Sequence, residues 1–106
     1  MSNLVSLPRI PKDEAESKIR DIASKASHEI YILDHAKMRM LEREITQRQI
    51  FRTLINGELL EGPEWDTKED KGWKCKFSRI VAGEKVTVVA KLVDREDSSC
   101  LVITVW

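Results

Sequence analysis

Three nitrogen-bearing side chains at four-residue spacing, His35, Arg39 and Arg43, are the part of this chain best suited to chemistry. An α-helix turns about 100° per residue, so the three fall within roughly 80° of one another and form a stripe of donors about two turns long. An imidazole titrates near neutrality and can give or take a proton, while a guanidinium stays charged and can grip two oxygens of one phosphate. Such a stripe is suited to holding a phosphate and moving a proton beside it. The bland alternative is a set of surface ion pairs, Arg39 with Asp34 or Glu42 and Arg43 with Glu44 or Glu61, each worth about 0 to 1 kcal/mol. His28 has no arginine at helical spacing and reads as a surface residue.

The element that must carry the stripe is the stretch Asp34 to Thr46, DHAKMRMLEREIT, in which Met38, Leu41 and Ile45 cluster some 130° away. That clustering predicts an apolar side turned to the core and a cationic side left free. A second helix should start at Gln47. Thr46 followed three residues later by Gln49 is a capping box, and Ile45 with Ile50 is spaced as a hydrophobic staple. Ile50, Phe51, Leu54 and Ile55 form its apolar face, and Asn56-Gly57 is expected to supply a left-handed stop.

Before these helices, Met1 to Pro11 carries two prolines and little periodicity and reads as an irregular lead-in. From Lys12 to Ser27, Ala15, Ile19, Ile22, Ala23 and Ala26 recur at helical spacing, which predicts an amphipathic helix with a narrow, weakly held stripe. Residues 1–28 are thus a lead-in and helix, residues 29–106 the main α+β unit, and the whole a single domain. With 106 residues and 42% apolar content there is material for one core and not two. Glu29 to Leu33 reads as a short strand.

After Gly57 the period changes from 3.6 to 2, with strands expected at Glu58–Glu61, Gly72–Ile80, Lys85–Val93 and Ser99–Trp106. The Ala82-Gly83-Glu84 turn and the Asp94–Ser98 loop are short, so the last three strands should form an antiparallel meander. With symmetric turns, Trp73, Cys75 and Phe77 share a face with Val86, Val88, Ala90 and Leu92 and with Leu101, Ile103 and Val105. The other face takes Lys74, Lys76, Ser78, Thr87, Val89, Lys91, Val102, Thr104 and Trp106. The fold expected is an antiparallel sheet of about four strands with helices packed on one face. The same register sends Cys75 and Cys100 to opposite faces, as reduced thiols. It also leaves Trp65 and Trp106 free to stack on bases, with Trp73 in the core.

Charge is unevenly spread although the formal net charge is zero. His35–Ile55 holds five Lys or Arg against two Glu, Glu58–Asp70 six acids against Lys68, and Lys71–Lys91 six bases against Glu84. The zero net charge argues against an indiscriminate nucleic-acid coat, while two basic blocks flanking an acidic one, taken with the histidine stripe, point to an electropositive cleft. The acidic segment Glu58–Asp70 is expected to be a flexible loop after Glu61, either a shield over that cleft or a soluble connector. No stretch is long and apolar enough for a membrane span, and the N-terminus lacks a secretory pattern, so a cytoplasmic location is expected, with no metal site and no cofactor.

The run His35-Ala36-x-x-Arg39-Met40-x-x-Arg43, then Ile45-Thr46, a helix, Gly57 and a terminal Ile103-Thr104-Val105-Trp106 strand, resembles the small bacterial HARM-type domains of unassigned function. These are similar in layout to RelE-like toxins. The resemblance covers about Ile30 to Trp106 and leaves the first helix unmatched. It implies the metal-independent ribonuclease superfamily of barnase-like and RelE-like proteins, in which RNA is cut through its own 2′-hydroxyl. On that reading the chain is an endoribonuclease, as the toxin of a toxin and antitoxin pair, with RNA and an antitoxin-like protein as partners. His35 would move the proton, Arg39 and Arg43 would clamp the phosphate, and by similarity Thr104 would offer a hydroxyl to it. Lys74, Lys76 and Lys91 would track the RNA backbone, with Trp106 beside them. The alternative is a binding module that grips nucleic acid or an acidic protein without cleaving it. With helices on the apolar face, the His35 stripe and Thr104 can meet only at an edge of the sheet.

Overall fold

Thr46 and Gln49 form the reciprocal cap that their spacing predicts: the Thr46 hydroxyl accepts from the Gln49 N–H at 3.1 Å, and the Gln49 side chain accepts from the Thr46 N–H at 2.7 Å. In the computed structural model, which describes residues 10–94 and 99–106, this cap opens α3 (Gln47–Asn56). It follows α1 (Lys12–Lys25), a single 3₁₀ turn, β1 (Ile30–Ile32) and α2 (Asp34–Arg43). Four strands complete the chain: β2 (Glu58–Asp66), β3 (Gly72–Val81), β4 (Glu84–Val93) and β5 (Ser99–Val105). The lead-in before Ile10 and most of the loop after Asp94 lie outside the described residues. Among the described residues, no helix is long and apolar enough to cross a membrane.

The fold is α+β, and the sheet has five strands in the order β1-β5-β4-β3-β2. It is mixed rather than wholly antiparallel, because the short run Ile30–Ile32 pairs in parallel with β5 while the other pairs run antiparallel. Parallel neighbours need a long connection, and here α2, α3 and the meander all intervene between the two. The last three strands form the expected meander around a two-residue Ala82-Gly83 turn with both φ positive.

The register of β3 against β4 is the expected one, but β5 departs from it. A bulge lies between the pairs Val89–Thr104 and Ala90–Val102, so Cys100, Val102 and Val105 share the buried face, while Leu101 lies opposite Lys91 and Thr104 opposite Val89. One extra residue exchanges the faces of all positions before it. Cys75 and Cys100 therefore lie on the same face, with β4 between them, each fully buried and reduced. Two strand spacings, roughly 9–10 Å, exceed disulfide reach. Burial pushes both thiols up to about 12.

Gly57 ends α3, though not with a left-handed turn. Its φ is −73°, and its role is close approach: a Cβ there would come within 2.4 Å of the Thr53 carbonyl oxygen and 2.8 Å of that of Ser78. The left-handed residue in the helical half is Glu44 at φ 55°, which closes α2. The orientation of α2 also differs from expectation. Met38 and Leu41 are 60% and 83% exposed, and the helix is seated instead by fully buried Ala36 with Met40 beside it, against β5. A small side chain lets the helix axis approach the strand, and that geometry outranks the larger apolar pair in deciding which side faces in.

The first helix is held by more than its alanines. Ile19, Ile22, Ala15 and Ala23 join the core, and the Arg20 guanidinium bonds the carbonyls of Leu54, Ile55 and Gly57 at 2.9–3.1 Å and the Glu16 carboxylate at 2.8 Å, over the Phe77 ring at 4.9 Å. It satisfies orphan carbonyls at the end of α3 and ties α1 to that end. Arg20→Met should lower stability by about 2–3 kcal/mol, since bonds from a charged donor contribute about 1.5–3 kcal/mol and water recovers part of the loss. Chemical denaturation followed by far-UV circular dichroism measures it, and a change below about 0.5 kcal/mol would leave the clamp without energetic weight.

Candidate functional site

The sheet face away from the buried one carries polar side chains in rows set by strand pairing. Across β2, β3, β4 and β5 one row reads Glu64, Lys74, Lys91, Leu101 and the next Glu61, Lys76, Val89, Thr104. Trp106 extends the last strand, exchanging backbone hydrogen bonds with Thr87 at 2.7 and 2.9 Å. Lys74, Lys76, Thr104 and Trp106 are thus brought to one face, as their alternation requires.

On this face lies a cleft of about 170 Å³ whose lining includes Glu61, Glu64, Lys74, Lys76, Val89 and Trp106. The Lys76 ammonium sits 5.0 Å from the centre of the Trp106 indole and 3.2 Å from the Glu61 carboxylate. The carboxylates come from β2, whose irregular register brings Glu61 and Glu64 opposite the two lysines. Gly62 makes the irregularity possible: its φ is 90°, and a Cβ would fall 2.3 Å from the Lys74 carbonyl oxygen. Glu58–Asp66 is therefore a continuous strand and not a flexible loop, and only Thr67–Lys71 connects it to β3. Gly62-Pro63 inside an acidic run is the sequence signal for such a bulge. Trp65 packs edge-on against Trp73 at 5.0 Å on the buried side, so of the two tryptophans expected to be free only Trp106 reaches the cleft.

Lys91 has a different occupation from the one expected. It is 4% exposed, its ammonium donates to the Lys68 and Asp70 carbonyls at 2.7 Å each, and it lies 3.2 Å from the Asp66 carboxylate. An ammonium has three protons, and these three oxygens use them. Burial alone would raise the Asp66 pKa, but the Lys68 N–H bond and the Lys91 ammonium outweigh it and hold the carboxyl below its ordinary value. Lys91 organises the β2–β3 connection rather than facing solvent.

The helical stripe stands apart from the cleft lining. His35 and Arg43 are exposed and, among the described residues, have no ion pair or side-chain hydrogen bond; Arg39 is half-buried with Glu42 at 3.9 Å. Their helix packs against β5, the strand that bears Thr104, whereas the cleft is lined from β2, β3 and β4 and by Trp106. His28 is exposed beside Glu29 at 3.8 Å. Among the described residues, no three His, Cys, Asp or Glu side chains gather in a metal-binding group.

A family model described as Domain of unknown function (DUF4258) matches residues 32–106, from the end of β1 to the last residue, and the chain belongs to that family. The first helix precedes the matched region. No curated protein and no solved structure matches the chain.

Proposed function

We propose that this member of the family is a metal-independent endoribonuclease, RelE-like in layout, acting as the toxin of a toxin and antitoxin pair. Two observations support the reading: His35 and Arg43 stand exposed with Arg39 on α2, which packs against β5, and Lys74, Lys76 and Trp106 share the outer sheet face with Thr104. RNA cleavage by this route needs the 2′-hydroxyl to lose a proton as its oxygen attacks phosphorus, the P–O5′ bond to break, and the departing 5′-oxygen to gain a proton. His35 serves one of these two proton transfers as general base or general acid, with water serving the other; Arg39 and Arg43 hold the phosphate oxygens as charge builds on them. Thr104 donates its hydroxyl to the same phosphate, and Lys74 and Lys76 carry the flanking backbone.

Incubating the purified chain with a single-stranded RNA in excess chelator tests this. Expected products end in a 2′,3′-cyclic phosphate and a 5′-hydroxyl, and a 2′-deoxy substitution at the cut site should abolish cutting there. RNA that stays intact over long incubation would overturn the enzyme reading. A second reading then takes its place, favoured by the absence of His35 from the cleft lining: a module that binds nucleic acid or an acidic partner on the same cations without cleaving it.

A further inference from the structure

We infer that the outer-face cleft is a pocket for a single nucleobase and that its chemistry selects guanine; the inference rests on the RNA-directed reading above but concerns recognition, not cleavage. At about 170 Å³ the cleft is smaller than the roughly 300–1,000 Å³ of sites for drug-sized ligands and close to the about 150 Å³ that holds one aromatic ring. A volume of that order suits a single planar base, with the sugar and phosphate left outside. Its wall is the Trp106 indole, whose backbone is held by the Trp106–Thr87 bonds and whose ring carries the Lys76 ammonium at 5.0 Å, so a base that stacks there takes the place of that ammonium and frees it for the rim. Stacking on an aromatic side chain is worth about 1–3 kcal/mol per base and does not distinguish bases strongly.

Discrimination comes from the rim. It combines two ammonium donors, Lys74 and Lys76, with two carboxylate acceptors, Glu61 and Glu64, drawn from adjacent strands. Glu61 is engaged by Lys76 at 3.2 Å, whereas Glu64, opposite Lys74 in the ladder, is exposed and has no ion pair or side-chain hydrogen bond among the described residues. A carboxylate accepts and never donates when ionised. Guanine is the base that offers two adjacent N–H donors, at N1 and N2, together with acceptors at O6 and N7 that suit a lysine. Adenine and cytosine offer a carboxylate only an amino group and uracil only its N3–H, each with an acceptor beside it, so none of the three gives both carboxylate oxygens a donor on adjacent atoms. Glu64 is accordingly the specificity-determining residue, with Lys74 and Lys76 serving O6 and N7.

Titrating the full chain at low salt with the 5′-monophosphates of guanosine, adenosine, cytidine and uridine, read by tryptophan fluorescence, tests the assignment. Trp106→Phe removes the reporter and separates its signal from those of Trp65 and Trp73. Guanosine monophosphate should bind at least tenfold more tightly than the other three. Glu64→Gln should weaken it about tenfold and leave the others unchanged, with thermal unfolding confirming that the variant folds. Equal affinities for all four, or an equal effect of Glu64→Gln on all four, would overturn guanine selection. A wild-type response that Trp106→Phe does not alter, or no response at all, would overturn the pocket. Guanine binding without RNA cleavage would sink only the ribonuclease reading, and cleavage without guanine preference only this one.

Discussion

His35→Ala should reduce RNA cleavage by about 10²–10⁴-fold, the range that positioned general acid–base groups contribute. Alanine is a good helix former, and His35 lies exposed on α2 with no side-chain bond to lose among the described residues, so stability should change by no more than about 0.5 kcal/mol. A large loss of rate without loss of fold is what separates a proton carrier from a packing residue. His28→Ala is the matched control, another exposed histidine outside the stripe, and should leave the rate unchanged. Arg39→Lys and Arg43→Lys should each slow turnover, because an ammonium cannot reproduce a planar two-donor fork on phosphate oxygens. Full activity in His35→Ala would remove the imidazole from the mechanism, and full activity in both lysine variants would reduce the arginines to generic positive charge.

Lys91→Met should destabilise the domain by about 3–5 kcal/mol, the usual cost of removing one partner from a buried ion pair. Methionine preserves most of the side-chain volume, so the loss comes from leaving the Lys68 and Asp70 carbonyls and the Asp66 carboxylate without their donor. Adding Asp66→Asn to Lys91→Met should recover part of it, since the stranded negative charge is gone. The pH dependence follows from Asp66. Its folded-state pKa lies below its unfolded value, so its contribution is fully present above the ordinary carboxylate range, near 4, and is lost as pH falls through the folded value. Stability of the wild type should therefore fall more steeply on acidification below about pH 4 than that of Asp66→Asn. Urea denaturation across pH 2–7 measures both effects, and a Lys91→Met loss below about 1 kcal/mol would mean that the β2–β3 connection holds without its lysine.

The stretches legible in the sequence were those whose signals act over a few residues. Thr46 and Gln49 make their cap because both bonds close within one helical turn, and Ala82-Gly83 turns back because φ is positive at both residues. Alternation on β3 and β4 placed Lys74 and Lys76 correctly for the same local reason. What depended on partners distant in the chain came only with the tertiary structure. Arg20 clamps the end of α3 more than thirty residues away, Lys91 turns inward because the Thr67–Lys71 connection lays carbonyls over it, and Ala36 rather than Met38 or Leu41 seats α2 because β5 approaches it closely. The two bulged strands show the limit most clearly: Gly62-Pro63 marks the irregularity in β2, but the extra residue in β5 has no such marker and still exchanges which side chains are buried. In β5 it moved Cys100 and Val102 inward, and in β2 irregular pairing set Glu61 and Glu64 beside the lysines. The sequence by itself thus determined which residues could do chemistry and on which elements they stand. Which of them share a surface was decided by strand register, a property of pairs of strands that neither strand encodes alone.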